Sequence, residues 1–291
     1  MSSIENSVTI SPEFEVRDLI RKALGRPYCE GDHHMIFNVD CLTALRELPD
    51  GLFSLTVTSP PYNIGKEYET PMPLDQYLDW CGAWIKEVHR CTTPTGEFFL
   101  NVGYIGVDGI AKAIPLPYLL WNRIPFFLIQ EVVWNYGAGV AGRKFLSPRN
   151  EKLLWYVKDQ SEYAFNLDEI RDPDVKYPNQ KKNGKLRCNT IGKNPSDVWQ
   201  IAKVTSGSNR SSDERAPHPA QFPLDLIDRV VKGFSCKGDL LLDPFIGSGT
   251  TAESAIRNKR FAVGFELRRD YCDYAKDRLR HAEAFEKSRL F

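Results

Sequence analysis

Apolar positions along the chain follow two spacings, one typical of strands and the other typical of helices. Short apolar and β-branched runs at residues 53–58 (FSLTVT) and 261–266 (FAVGFE) predict buried strands. Over residues 74–90 apolar side chains recur at every third or fourth position, which predicts an amphipathic helix. Strands alternate with helices at both ends of the chain, and we therefore predict an α/β fold with a doubly wound, mostly parallel sheet.

The remaining elements follow from the same two patterns. We predict further strands at residues 34–39, 97–102, 126–134, 152–158, 197–201 and 239–243, and helices at residues 42–48, 110–124, 224–234 and 269–287. The Pro-Thr-Gly sequence at residues 94–96 predicts a turn. Residues 1–30 are polar and irregular, so we expect an arm on the surface there. Trp134, Trp155 and Trp199 are expected in the core.

Length and composition are those of an ordinary globular protein. The chain has 291 residues, of which 42% are hydrophobic and 26% charged, and these values exclude wholesale disorder and fibrous classes. The length suits one large α/β domain with a small insertion. No apolar run approaches the roughly 20 residues that a membrane-spanning helix needs. The first residues also lack the basic and apolar regions of a secretory signal.

Seven cysteines are scattered along the chain, and none forms a Cys-x-x-Cys pair. Without a secretory signal, we expect reduced thiols in the cytoplasm. The adjacent His33 and His34 lack the i, i+4 spacing that places two zinc ligands on one helix face. We therefore expect no metal site.

The charge balance is zero for the whole chain but uneven along it. The chain has 38 Lys and Arg against 38 Asp and Glu, which by itself counts against a nucleic-acid partner. Residues 171–215, however, contain ten basic and five acidic residues and so carry a net charge of +5. This stretch is rich in Asn, Ser, Gly and Pro, and a solvated insertion is the alternative to a binding region.

The first chemical motif is a glycine-rich loop, DPFIGSGTT at residues 243–251, between a predicted strand and a helix. Gly247 and Gly249 let a ligand approach the backbone, and the N-terminus of the next helix offers N–H groups to a carboxylate or phosphate. Asp243 ends one strand and Glu266 ends the next, about 20 residues on, where doubly wound folds place an acid that binds ribose hydroxyls. The motif therefore favours a ligand that contains adenosine without a polyphosphate.

A glycine-rich loop of this kind has three other interpretations. A phosphate-binding P-loop needs lysine after its glycine, and here Thr250 follows Gly249. A dinucleotide fingerprint needs G-x-G-x-x-G, and this stretch has only G-S-G. An ordinary turn between a strand and a helix stays open for G-S-G alone, but the two acids at the strand ends count against it.

A second motif, TSPPYN at residues 58–63, also lies at the carboxyl end of a predicted strand, where open α/β sheets bind ligands. Its two prolines remove two backbone donors and stiffen the loop. The Ser59 hydroxyl, the Pro60 carbonyl and the Tyr62 ring together suit a flat ring that bears an exocyclic amine. The alternative is a proline turn that only ends the strand.

TSPPYN followed by DPFIGSGTT resembles the DNA amino-methyltransferases, which methylate exocyclic amines with S-adenosylmethionine. The catalytic motif comes first, which is the permuted order of the beta class of that family. HPAQFP at residues 218–223 is similar to the H-P-x-Q-K-P segment of the family, except that Phe222 replaces the usual lysine. The resemblance spans about residues 34–280. It implies the S-adenosylmethionine-dependent methyltransferase fold with a seven-stranded sheet, in a bacterial or archaeal cytoplasm.

The resemblance also implies roles for particular residues. The catalytic loop corresponds to Ser59, Pro60, Pro61 and Tyr62. The residues implied to bind S-adenosylmethionine are Asp40, His218, Asp243, Phe245, Gly247, Ser248, Gly249, Thr250, Thr251 and Glu266. The beta class carries its target-recognition region between the two motif groups, where this chain has its basic stretch. The candidates for DNA contact are Arg143, Lys144, Lys181, Lys182, Lys185, Arg187 and Arg210.

The expected division of the chain follows from the same resemblance. An N-terminal arm (1–30) precedes the catalytic half of the methyltransferase domain (31–166). A target-recognition region (167–215) then separates it from the cofactor-binding half (216–291).

Serine at the first position of the catalytic motif is typical of N4-cytosine enzymes, and aspartate is typical of N6-adenine enzymes. Ser59 therefore predicts a site-specific methyltransferase for the N4 amine of a flipped-out cytosine in double-stranded DNA, within a restriction-modification system. The alternative is an N6-adenine enzyme. Chemistry at cytosine C5 is disfavoured, because its nucleophilic cysteine usually sits in a Pro-Cys dipeptide, which this chain lacks. The expected partners are double-stranded DNA, a separate endonuclease and a second copy of the chain.

Two further functional classes were considered. Enzymes that methylate protein amides typically carry Asn-Pro-Pro-Tyr after the cofactor motif, so the motif order counts against them, and an RNA methyltransferase belongs to the same alternative. A non-catalytic DNA-binding module would have a decayed site, whereas both motifs here are intact in residue type.

Overall fold

The apolar strands pair into one nine-stranded sheet in the computed structural model, which describes residues 12–67, 69–139, 141–205 and 212–289. In chain order the strands are β1 (Cys29–Glu30), β2 (His34–Phe37), β3 (Phe53–Thr58), β4 (Thr92–Val102), β5 (Tyr104–Val107), β6 (Ala111–Pro115), β7 (Phe127–Asn135), β8 (Asn150–Val157), β9 (Lys181–Lys182), β10 (Lys185–Leu186), β11 (Val198–Gln200), β12 (Leu240–Asp243) and β13 (Phe261–Phe265). The helices are α1 (Pro12–Leu24), α2 (Cys41–Glu47), α3 (Leu74–Cys91), α4 (Leu116–Leu120), α5 (Leu224–Gly233), α6 (Thr250–Arg257) and α7 (Arg269–Ser288).

The order of the strands confirms the doubly wound, mostly parallel sheet. Across the sheet they run β1-β2-β13-β12-β3-β4-β8-β7-β11, and β2, β13, β12, β3 and β4 are parallel to one another. β8 runs antiparallel to both β4 and β7. The two- and three-residue strands β1 and β11 lie at the edges, so seven longer strands form the body of the sheet. β11 confirms the predicted strand at residues 197–201, which rejoins the sheet beside β7.

Each face of the sheet buries its own hydrophobic core, because side chains alternate between the faces of a strand. On β4, Phe98 and Leu100 belong to the first core and Phe99 belongs to the second. Helices α1 to α4 cover the first face, and α5 to α7 cover the second. The three tryptophans expected in the core, Trp134, Trp155 and Trp199, are all buried.

Residues 12–30 differ from the irregular arm expected over residues 1–30, of which residues 1–11 lie outside the described residues. Helix α1 occupies Pro12–Leu24, and Ile20 is fully buried against the first core. Val16 and Leu24 pack beside it. Val16, Ile20 and Leu24 are each four residues apart, and this spacing is the signal of a helix that the sequence contains. The guanidinium of Arg17 also donates a hydrogen bond of 2.9 Å to the carbonyl of Gly31.

The predictions for two segments were wrong, namely the helix at residues 110–124, with its interruptions at Pro115 and Pro117, and the turn at residues 94–96. Residues 110–124 form strand β6, the short helix α4 and a 3₁₀ turn at Trp121–Arg123, because residues 111–115 pair with β5 in a hairpin. Residues 94–96 lie within β4 and form no turn. A Cβ at Gly96 would stand 2.9 Å from the carbonyl oxygen of Phe53. This glycine therefore allows close approach of two strands.

Within the described residues, no helix is long and apolar enough to cross a membrane. All seven cysteines are free thiols.

If α1 is an integral part of the fold, Ile20→Ala will lower the free energy of unfolding by about 2–5 kcal/mol, because it opens a cavity in the core. Urea unfolding followed by circular dichroism would measure this. The matched control is Leu19→Ala, at a neighbouring position where the side chain is 41% exposed, and its effect should stay within about 0.5 kcal/mol. Equal effects of the two substitutions would show that α1 does not pack as described.

Candidate active site

A cavity of about 1050 Å³ opens at the carboxyl ends of β2, β13, β12 and β3. The central strands β12 and β3 are parallel neighbours, and from them the chain continues in opposite directions across the sheet. Such a switch point is where open α/β sheets bind ligands. Both sequence motifs follow these two strands, so the fold brings them to one cavity.

Asp243, at the end of β12, joins the two motif strands. Its Oδ1 accepts hydrogen bonds from Thr58 Oγ1 at 2.6 Å and from the Phe245 backbone N–H at 3.1 Å. Its Oδ2 accepts one from Thr251 Oγ1 at 2.6 Å. Burial raises the pKa of Asp243 to about 6. Both carboxylate oxygens therefore have partners within the protein, and Asp243 organises the loop as well as lining the cavity.

The catalytic loop is held from two sides. The hydroxyl of Tyr77, on α3, donates a hydrogen bond of 2.7 Å to the carbonyl of Pro61. Within the loop, the hydroxyls of Ser59 and Tyr62 lie 2.9 Å apart. A Cβ at Gly103 would stand 3.0 Å from Tyr62 Cε2, so the missing side chain makes room for the tyrosine ring. The loop thus presents Ser59 from a braced position.

Three residues outside the motifs form a polar cluster behind this loop. The side-chain amide of Asn101 donates to Tyr62 Oη at 2.8 Å and to Glu151 Oε2 at 2.9 Å. The hydroxyl of Tyr62 donates to the same Glu151 oxygen at 3.2 Å. Lys203 Nζ lies 2.6 Å from Glu151 Oε1 and 3.8 Å from the centre of the Tyr136 ring. The cluster therefore places a carboxylate two hydrogen bonds from Ser59.

The glycine-rich loop is held by Glu266, the acid at the end of β13. The backbone N–H of Gly247 donates to Glu266 Oε2 at 3.1 Å, and that of Arg268 donates to Oε1 at 2.7 Å. Burial raises the pKa of Glu266. A carboxylate has about four lone-pair positions, so Glu266 keeps acceptor capacity for a ligand in the cavity.

Gly247 adopts φ = +51°, and a Cβ there would stand 3.0 Å from His218 Nε2. Glycine thus leaves a gap between the loop and the histidine. Burial lowers the pKa of His218 to about 4, so the imidazole is neutral near pH 7. Its ring lies 4.4 Å from that of Tyr271, in an edge-to-face arrangement.

Asp40 lies on the same cavity wall, after β2. Its Oδ1 accepts hydrogen bonds from the backbone N–H of Thr43 at 2.9 Å and from the Thr43 hydroxyl at 3.0 Å. Asp40 is therefore the N-cap of α2. The strand ends that carry Asp40 and Glu266 are joined by a backbone hydrogen bond from Val39 to Glu266.

The structure brings nearly all the predicted site residues together. The cavity is lined by Ser59, Pro60, Pro61 and Tyr62 and by Asp40, His218, Asp243, Phe245, Gly247, Ser248, Thr250, Thr251 and Glu266. Gly249 does not line it. Its φ is +85°, and a Cβ there would stand 3.2 Å from Ala275 Cβ, so it allows α6 and α7 to pack closely.

The predicted DNA-contact residues lie outside the cavity lining. Lys181, Lys182, Lys185 and Arg187 are exposed on the hairpin formed by β9 and β10. Arg143 and Lys144 are exposed next to Phe145 and Leu146, which do line the cavity. Arg210 lies outside the described residues. The basic stretch is also less free than its charge suggests, because its Arg171, Lys193 and Lys203 pair with Asp168, Asp172 and Glu151.

Several cavity residues carry no motif signal. They include Lys66, Trp80, Asn101, Gly103, Tyr136, Glu151, Lys203, Arg268 and Tyr271. The only hint was a polar residue within an apolar strand, Asn101 in FFLNV and Glu151 at the start of EKLLWYV. A polar residue in an apolar strand reaches the cavity only when the pairing of its strand with the neighbouring strands places it there.

Comparison with known proteins agrees with this geometry. Residues 53–277 match the N6/N4 DNA methylase family. The chain is 58% identical over 265 residues to the Type II methyltransferase M.ScaI of Streptomyces caespitosus, covering 91% of this chain and 87% of that protein. It is 30% identical over 265 residues to the DNA adenine methyltransferase YhdJ of Escherichia coli (strain K12), covering 88% of this chain and 85% of that protein. The fold is similar to that of the PvuII DNA methyltransferase (cytosine-N4-specific), with a TM-score of 0.68, 18% identity and coverage of 89% and 94%.

The raised pKa of Asp243 predicts how stability depends on pH. Between the ordinary value of 3.8 and about 6, the folded chain binds more protons than the unfolded chain. The contribution of Asp243 to the free energy of unfolding therefore falls as pH rises through this range, by up to about 3 kcal/mol. Relative to Asp243→Asn, the wild type should lose stability from pH 4.5 to 7 in urea unfolding. The exposed Asp75→Asn serves as control. If the free energy of unfolding of the wild type minus that of Asp243→Asn stays constant or rises from pH 4.5 to 7, the raised pKa of Asp243 is contradicted.

Proposed function

Because the chain belongs to the N6/N4 DNA methylase family, whose cofactor is S-adenosylmethionine, we propose that it methylates the N4 amine of a cytosine in double-stranded DNA. The observation that carries cytosine N4 is Ser59, since serine at this motif position is typical of N4-cytosine enzymes. Its hydroxyl lines the cavity within the braced loop, where an exocyclic amine would need an acceptor.

The cavity wall suits S-adenosylmethionine. Glu266 keeps acceptor capacity for ribose hydroxyls, and the gap at Gly247 lets a ligand approach the backbone. The cavity is lined by both motif loops, so one wall can hold the cofactor while the other faces a base. When bound, S-adenosylmethionine supplies an electrophilic methyl group.

Ser59 and Pro60 would orient the target amine. The lone pair of a cytosine amine is delocalised into the ring, which makes the nitrogen a poor nucleophile. Hydrogen bonds from the amine to the Ser59 hydroxyl and the Pro60 carbonyl would turn the lone pair toward the methyl group. The bracing of the loop by Tyr77 and Asn101 keeps these acceptors in place, and such positioning lowers the barrier without a covalent intermediate.

The amine must leave the duplex to reach this cavity. The amine of a base stacked in a duplex cannot reach the inside of such a cavity, so the cytosine would be flipped out, at a cost of a few kcal/mol. We propose that the exposed hairpin with Lys181, Lys182, Lys185 and Arg187 contacts phosphates or bases. Arg143 and Lys144, beside the cavity mouth, would contact the backbone nearby. The four hairpin residues belong to the proposed target-recognition region, and Arg143 and Lys144 belong to the loop that precedes β8.

The relatives support a role in restriction-modification. The similarity to the Type II methyltransferase M.ScaI leads us to propose that the chain protects DNA against a separate endonuclease of the same specificity, in a cytoplasm that keeps its thiols reduced. A second copy of the chain is a further proposed partner. The N6 amine of adenine is the second candidate substrate, because the chain is also 30% identical to the DNA adenine methyltransferase YhdJ.

Nucleoside mass spectrometry tests the choice of base. DNA from cells that express the chain should contain N4-methylcytosine, and Ser59→Ala should reduce it by about 100-fold or more, because the amine loses an acceptor in the transition state. Ser288→Ala, an exposed position on α7, should leave the level unchanged. DNA that contains only N6-methyladenine would move the assignment to the second candidate.

The salt dependence of DNA binding tests the hairpin. Each phosphate contact contributes about 0.9 to the slope of log K against log salt concentration, so replacing Lys181, Lys182 and Lys185 by alanine should lower that slope by about 2–3. Fluorescence anisotropy with a duplex over a range of salt concentrations gives the slope. A triple substitution at the exposed Lys22, Lys86 and Lys276 is the control for lost charge. If both triple variants change the slope equally, the hairpin is not the contact surface.

A further inference from the structure

Glu151 is a carboxylate at the site that belongs to neither motif. It lies at the start of β8, with 16% of its side chain exposed, and receives hydrogen bonds from Lys203, Tyr62 and Asn101. Burying a charge this far is costly unless it is paired, and Lys203 supplies the pair at 2.6 Å. In the mechanism proposed above Asn101 braces the loop, but Glu151 and Lys203 have no role, although Glu151 lies two hydrogen bonds from Ser59.

The geometry determines the direction of the hydrogen bonds. Tyr62 has one O–H, and the carboxylate oxygen of Glu151 at 3.2 Å is a stronger acceptor than the neutral carbonyl of Asn101 at 3.3 Å. Asn101 donates its amide N–H to the Tyr62 oxygen. Since Tyr62 donates to Glu151, Ser59 must donate to Tyr62 across their 2.9 Å contact. The Asn101 amide also lies within hydrogen-bond distance of Ser59 Oγ, at 3.3 Å, so one lone pair of Ser59 is left for an incoming N–H.

We propose that Glu151 is the final acceptor of the proton released by the target amine, through the hydroxyls of Ser59 and Tyr62. This proposal rests on the proposed function, because it requires an exocyclic amine at Ser59. Both hydroxyls stay protonated at rest, and burial raises the pKa of Tyr62 well above its ordinary range. Each hydroxyl can therefore pass a proton on only by receiving another.

The step balances in atoms and electrons. The electron pair of the amine nitrogen forms a bond to the methyl carbon, and the carbon–sulfur bond breaks, its electron pair leaving with sulfur. The nitrogen is then positively charged and strongly acidic. Its proton passes to Ser59 Oγ as the serine proton moves to Tyr62 Oη and the tyrosine proton moves to Glu151 Oε2. The methylated base becomes neutral, and Glu151 becomes a neutral carboxylic acid.

Lys203 keeps Glu151 ready for this step. Its ammonium lies beside Glu151 Oε1, over the faces of Tyr136 and Trp134, and favours the ionised carboxylate. The groups that face Glu151 are the cation Lys203, the neutral Tyr62 and Tyr136, and the Asn101 amide. Lys203 belongs to the basic stretch at residues 171–215, but it pairs with Glu151 in the cavity. It is therefore not available to contact a DNA phosphate.

The test measures single-turnover methyl transfer by the purified full chain, with labelled S-adenosylmethionine and a duplex containing its site. Glu151→Gln should slow transfer by at least about 100-fold, the usual loss when a positioned base is removed. Equilibrium binding of S-adenosylmethionine and of the duplex should change by less than about threefold, since neither ligand needs the Glu151 charge for binding. Glu151→Asp should restore part of the rate.

The pH dependence separates proton transfer from simple bracing. The pH profile of the rate should differ between the wild type and Glu151→Gln, because the variant has no carboxylate that can receive the proton. A substitution that only loosened the loop would lower the rate to the same extent at every pH. The double variant Ser59→Ala/Glu151→Gln should be about as slow as the slower single variant, since both act on one path.

The matched control is another ion pair on β8, that of Lys152 with Glu131 on β7, 2.9 Å apart. Glu131→Gln and Lys152→Met should change neither the rate nor its pH dependence. A Glu151→Gln rate within about threefold of wild type, or a rate loss matched by an equal loss of ligand binding, would overturn the proposal. Methyl transfer to adenine would leave the test intact, because that amine also releases a proton. A wild-type chain that methylates no DNA would contradict both proposals.

Discussion

The whole site depends on one set of buried hydrogen bonds, those that Thr58 and Thr251 donate to Asp243. β3 and β12 lie far apart in the sequence, yet they are neighbours at the centre of the sheet. A carboxylate excluded from water is stable only when its oxygens have donors, and these two threonines supply them from the end of β3 and the start of α6. The same bonds set the TSPPYN loop against the glycine-rich loop, so that both motifs line one cavity.

The antiparallel strand β8 brings a further polar side chain, Glu151, to the cavity. β3 and β4 are parallel and end at the cavity, whereas β8 is antiparallel to β4 and begins there. Glu151, near the first residue of β8, therefore reaches the same edge of the sheet as Ser59. An all-parallel sheet would place the start of that strand at the opposite edge. The antiparallel strand thus brings a carboxylate behind a loop whose own residues carry no charge, and Lys203, which follows β11, pairs with it.

Charge is distributed according to the role of each part of the chain. Acids line the wall where the cofactor's hydroxyls and positive sulfonium would lie, as with Asp40 and Glu266. Exposed lysines are concentrated on the β9–β10 hairpin, while Lys203 is used within the site. The neutral total of the chain is therefore no guide to its partner, because a favourable field for DNA depends on local charge.

The sequence by itself determined the parts that depend on local physics. Strand and helix periodicity predicted most elements, and prolines and glycines at the strand ends located both motif loops, because these constraints act within a few residues. Only the tertiary structure decided that Asp243 accepts hydrogen bonds from Thr58 and Thr251, and that Asn101 and Glu151 lie beside the catalytic loop. The reason is that pairing between strands distant in sequence sets which side chains meet, and a single residue such as Glu151 in an apolar strand carries no periodic signal of its partner.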